Sequence, residues 1–183
     1  MAVKTFVVGE VLTSDATNTY LANSGLVYVK SQTIGSGVTS ISVTDAFSAT
    51  YDNYLIVFST VFSAQASRIF MRGTNSTSTT YAGSFIYMDN TSATVFGAQA
   101  GSSAYFDTGL SSSTGRTDVT VNFFNIWQSG IATRMQAQAS GNTYGTSGWG
   151  RDSATNSSTD LVIAPAGGTM TGGTITVYGY RKA

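Results

Sequence analysis

Several segments of this chain alternate between apolar and polar side chains. In residues 118–125, Val119, Val121 and Phe123 share one side of the pattern. In residues 132–139, Met135, Ala137 and Ala139 face one way, and Arg134, Gln136 and Gln138 the other. In residues 174–180, Ile175 and Val177 alternate with Thr174, Thr176, Tyr178 and Tyr180. A repeat of two marks a strand with one face in a core and the other outside. Ser and Thr number 53 of the 183 residues, and with Val, Tyr and Phe they suit a pleated surface. The Leu-, Glu-, Lys- and Ala-rich runs that build helices are missing.

Shorter strand signals lie at 25–31, 40–43, 68–72, 84–89, 93–96, 104–107, 148–153 and 161–164. Residues 54–63 are almost wholly apolar, which predicts a strand buried on both faces. Ser/Thr/Gly clusters at 73–80, 111–116, 140–148 and 153–159 read as exposed loops. Nine or ten short strands with turn residues between them predict an all-β chain, an antiparallel β-sandwich or jelly roll. One helix is expected, over residues 14–21, capped by Ser14 or Asp15, with Tyr20 and Leu21 packing. Gly35-Ser36-Gly37 supplies a turn. A boundary there gives an N-terminal arm, 1–35, and a jelly-roll body, 36–183.

Charge then limits the chemistry. Only 10% of residues are charged, against about 25% in ordinary proteins, and the net charge is zero. A nucleic-acid partner calls for a basic surplus, so none is expected. His and Cys are absent, which removes a Ser-His-Asp triad, thiol nucleophiles, thiolate zinc and iron–sulfur sites. The chain is therefore expected not to be an enzyme. The apolar run after Lys4 is broken at Gly9 and Glu10, too short for a signal peptide, and no stretch is long enough for a membrane helix. Synthesis in the cytoplasm without membrane insertion is expected.

What remains is oxygen and aromatic chemistry. A glycoside hydrolase needs two carboxyls about 5–10 Å apart across a sugar cleft. Nine acids could supply them, but Asp52 and Asp89 sit at strand ends, where turn capping explains them. No EF-hand spacing or acid-rich loop suggests calcium. Trp127, Trp149, Tyr144, Tyr178 and Tyr180 could stack on a sugar, although aromatics more often fill cores and subunit interfaces. Trp149, between two glycines on a polar loop, is the best candidate for exposure, and Trp149 with Tyr144 is the candidate glycan contact. Lys occurs only at 4, 30 and 182 and Pro only at 165, so strand edges are poorly guarded. A homo-oligomer is expected.

Residues 9–28 resemble the N-terminal segment of tailed-bacteriophage virion proteins, particularly marine and cyanobacterial phage fibre-like proteins. Their pattern is roughly Gly-Glu/Asp-Val-Leu-Thr-Ala-x-Asp-x-Asn-x-x-Leu. Gly9, Glu10, Val11, Leu12, Thr13, Asn18 and Leu21 match it, while the acid, Asp15, comes one place early. Residues 46–59, with Phe47, Tyr51, Asp52, Tyr54 and Ile56, are similar to the strand entry of phage jelly-roll modules, and 173–182 to their closing strand. The resemblance implies a virion structural protein without cofactor or catalysis. It implies a trimer, an arm that docks on other phage virion proteins and a β body that projects outward. The first expectation built on it is a fibre-like appendage whose body faces the host and contacts its surface glycan. Phe6, Val7, Val8, Val11, Leu12 and Leu21 are then the candidate docking residues. The alternatives are a capsid decoration, cement or head-fibre protein, and a polysaccharide depolymerase using an Asp pair.

Overall fold

A computed structural model describes residues 7–11, 13–14, 25–63, 68–74, 79–92, 94–110 and 115–182. Thirteen strands carry the fold among them. They are β1 (Leu26–Thr33), β2 (Ile41–Val43), β3 (Asn53–Phe62), β4 (Arg68–Gly73), β5 (Tyr81–Asp89), β6 (Thr94–Ser103) and β7 (Phe106–Leu110), then β8 (Arg116–Phe124), β9 (Thr133–Gly141), β10 (Tyr144–Asp152), β11 (Leu161–Pro165), β12 (Met170–Thr171) and β13 (Thr174–Tyr180). The large sheet runs β1-β13-β3-β8-β9-β10-β5-β6, with β12 also paired to β3. The small sheet runs β2-β11-β4-β7. All pairs are antiparallel, and the two sheets pack as a jelly-roll-like sandwich.

Alternation decides the burial. In β8, Thr117, Val119, Val121 and Phe123 are buried while Arg116, Asp118 and Thr120 are exposed. Tyr54, Ile56, Phe58, Ile175, Val177 and Met135 extend the same inner face across neighbouring strands. Val43, Ile69, Met71, Phe106, Leu161 and Ile163 answer from the small sheet. Each such side chain gains about 1.5–3 kcal/mol from full burial. At the entry to β3, the Tyr54 hydroxyl accepts the Ser48 N–H at 2.7 Å and donates to the Ser48 carbonyl at 2.8 Å. The ring can thus be buried with its polar atom satisfied, edge-on to Phe47 at 4.8 Å.

Three expectations change. Residues 54–63 are buried on one face only, because among the described residues no layer covers the other: Val57 and Val61 are exposed. The strand assigned to the arm, β1, pairs with β13 along its length and forms an edge of the large sheet. The supposed boundary is itself pinned: Ile34 is buried, its N–H donates to the Gly173 carbonyl at 2.9 Å, and Val38 bridges Met170. Finally, the polar stretch 140–148 is mostly strand. β9 and β10 are joined by Asn142 and Thr143 alone. The helix expected over 14–21 lies, apart from Ser14, outside the described residues.

Candidate functional site

The outer face of the large sheet is open to solvent, and Trp149 stands on it in the middle of β10. Its side chain is 52% exposed. The glycines on either side have a structural cause. A Cβ at Gly150 would lie 2.9 Å from the Phe106 ring and 3.0 Å from the Ala82 carbonyl, and one at Gly148 would lie 3.0 Å from Phe85 Cβ. The glycines therefore let the inner face close on Phe85 and Phe106, and that seating fixes the strand so that Trp149 points outward.

Register supplies its neighbours. Trp149 lies opposite Ser84 on β5 and Gln136 on β9. A groove of about 620 Å³ runs beside it, bordered by Ser84, Arg134, Gln136 and Arg151. A second hollow of about 380 Å³, bordered by Ile86, Gly97 and Gln99, shares Trp149. A third, about 420 Å³, shares Ile86 and adds Met88, Thr120 and Gln138. Flat apolar groups flanked by hydroxyls and amides suit a pyranose, which offers an apolar face and a polar rim.

Tyr144 does not join this site. It is on the same strand as Trp149, five residues away, and so points to the opposite face. There it meets Tyr87 edge-on at 5.8 Å, and Tyr87 stacks on Phe96 at 5.0 Å. The proposed pairing of Trp149 with Tyr144 is corrected accordingly. Tyr178 and Tyr180 do face outward, but β13 lies four strands from β10, about 19 Å. Tyr180 donates to Asn122 Oδ1 at 2.6 Å, and Tyr178 is edge-on to Tyr28. Trp127 is half-buried beyond the end of β8.

Of the docking candidates, Val7, Val8 and Val11 are strongly exposed beside a turn closed by the Glu10 N–H on the Val7 carbonyl. Phe6, Leu12 and Leu21 lie outside the described residues.

Most of the acids serve local structure. Asp89 accepts the Thr91 hydroxyl and N–H, and these bonds hold its carboxyl below the usual value. Asp52 is likewise held low by Lys182 and Gln128. Asp152 accepts the Thr80 hydroxyl and the Ala154 N–H, and Asp160 accepts the Asp45 N–H. Asp107 is buried beneath the sheet, 3.2 Å from Arg68, and burial raises its carboxyl despite the Gly109 N–H and that cation. Asp118, on the outer face, is bound by Arg116 and Ser59. Among the described residues no three acids gather to hold a metal ion.

No protein-family model matches the chain. No curated protein matches it either. Among solved structures it is similar to a mutant alginate lyase in complex with alginate tetrasaccharide, at 16% identity and a TM-score of 0.30, over 84% of this chain and 80% of that one. The expectation that the chain is not an enzyme is corrected here: missing His and Cys remove only the chemistries that need those residues. A likeness this slight assigns no reaction to the chain.

Proposed function

We propose that the chain is a β module of a phage particle that touches surface glycan through the outer face of its large sheet. The observation that carries the glycan contact is Trp149, exposed in mid-strand, held outward by packed glycines and bordered by amides and hydroxyls. The particle reading rests on the resemblance of residues 9–28 and on an arm whose Val7, Val8 and Val11 lie exposed. Self-association completes it. Edge strand β6 carries no charge and no Pro, and exposes Val95 and Phe96. By contrast, β1 has Lys30 and a break in register between Tyr28 and Lys30.

The glycan contact is tested by retention of the whole chain on gels containing immobilised polysaccharides. Wild type should be retained by at least one of them and Trp149→Ala by none. Passage of wild type through every gel sinks the contact. Gold-labelled antibody against the chain should decorate phage particles, and unlabelled particles count against the virion role. Light scattering at micromolar concentration should show an oligomer. Removing residues 1–24, which leaves every described strand in place, should end copurification with particles.

A further inference from the structure

Arg134 and Arg151 lie directly opposite each other on β9 and β10, both outward and exposed. Directly opposed residues in an antiparallel pair have Cβ atoms about 4.5–5.5 Å apart, and like charges there repel. The other described arginines have a reason to be where they are. Arg68 pairs with Asp107 at 3.2 Å, Arg116 with Asp118 at 3.5 Å, and Arg72 lies over the Tyr105 ring at 4.8 Å. Arg181 is also engaged. Arg134 and Arg151 have no acid, ring or hydrogen-bond partner among the described residues. The acids on the adjoining elements are occupied, Asp52 by Lys182 and Gln128, and Asp152 by Thr80 and Ala154 on the inner face. In a chain with nine basic residues, two have been set against each other at the rim of the Trp149 groove.

We infer that this arginine pair makes the groove a site for acidic oligosaccharide, an inference that rests on the glycan contact proposed above. A pyranose stacks on Trp149. Its carboxylate or sulfate ester meets the two guanidiniums two residues further along β10, about 7 Å away. Guanidiniums bind such oxyanions through paired N–H groups, and a bound anion turns the opposed pair from a repulsion into a clamp. Gln136 and Ser84 are placed to bind hydroxyls of the same chain. A polynucleotide offers similar groups, but its affinity comes from many phosphate contacts, which a chain of zero net charge lacks.

The test is calorimetry of the whole chain with four probes: a uronic-acid tetrasaccharide, dextran sulfate, unmodified dextran and a short oligothymidylate. One or both acidic glycans should bind more tightly than dextran, and less tightly as salt is raised. Binding of the tetrasaccharide alone assigns a carboxylate ligand, and of dextran sulfate alone a sulfate. The double variant Arg134→Gln with Arg151→Gln should lose at least about tenfold in acidic-glycan affinity, the value of one or two charged hydrogen bonds. Without ligand it should melt no lower than wild type, because a repulsion has been removed. Arg116→Gln, a control outside this groove, should leave affinity unchanged. Equal binding of acidic glycan by wild type and double variant overturns the inference. So does dextran or oligothymidylate binding as tight as the acidic glycans. If Trp149→Ala still abolishes dextran binding, only the acidic specificity has failed. If no sugar binds at all, the glycan contact fails with it.

Discussion

The two faces of the large sheet are built from the same strands and obey the same alternation, yet they have opposite roles. On the inner face β8 presents Val119, Val121 and Phe123, all buried under the small sheet. On the outer face the same strand presents Asp118 and Thr120 to water, while β3 exposes Val57 and β10 exposes Trp149. The inner face is bound by close packing, so each atom there has a partner whose loss is felt. The outer face contributes little to folding and is free to carry recognition. The comparison also explains the glycines of β10: they serve the inner face by their small size and the outer face by holding Trp149 in place.

The difference can be tested from both sides. Phe123→Ala should cost the most, about 3–5 kcal/mol, because it empties a site in ring contact with Phe47 and Phe106. Urea unfolding checks this, and a loss of about 0.5 kcal/mol or less, the size of an ordinary surface change, would show the inner face to be loosely packed. Gly150→Ala should come next, at about 1–3 kcal/mol, since the added methyl meets the Phe106 ring and the Ala82 carbonyl. It should also weaken glycan retention by shifting Trp149. A variant that melts like wild type would remove the link between the two faces.

Acid should separate buried from exposed carboxylates. Asp107 is raised by burial, so its folded form takes up a proton before the unfolded chain does. Its contribution to stability therefore grows as pH falls through its raised value, and is complete below the unfolded value. Asp52 and Asp89 are lowered, so their contributions are present above the ordinary carboxylate value and are lost as pH falls through their folded ones. Urea melts from about pH 7 to about pH 3 should lose part of their acid-side upturn in Asp107→Asn. They should lose part of their acid-side decline in Asp89→Asn. The reverse pairing would refute the burial argument.

The smallest effects belong to the outer face. Trp149→Ala and Val57→Ala should each change stability by about 0.5 kcal/mol or less, with only the first ending glycan retention. A large loss of stability in Trp149→Ala would make the residue a packing element and not a contact.

Much of this arrangement could be read from the sequence, and the reason is local. The alternation in 118–125, 132–139 and 174–180 places each side chain inward or outward without any knowledge of neighbours, and the structure keeps all three assignments. Arg134, Gln136 and Gln138 were legible as outward-facing in the same way. The Gly- and Ser-rich stretch before Trp149 reads as a loop by composition, yet it is strand, and its Gly148 makes room for Phe85. Had β10 been recognised from Tyr144 onward, the odd spacing to Trp149 would have put the two rings on opposite faces.

Periodicity is a property of one strand, so the sequence alone determined that the chain is all β and, where apolar and polar residues alternate, which side chains line a core. Pairing is a property of two strands far apart in the chain, and only the tertiary structure decided it. It brought Leu26–Thr33 onto β13, over 140 residues away, and so removed the arm's last strand to the sheet. Among the described residues it left one face of the large sheet without a covering layer. It also set Arg151 against Arg134, a juxtaposition that exists only in the register of β9 with β10.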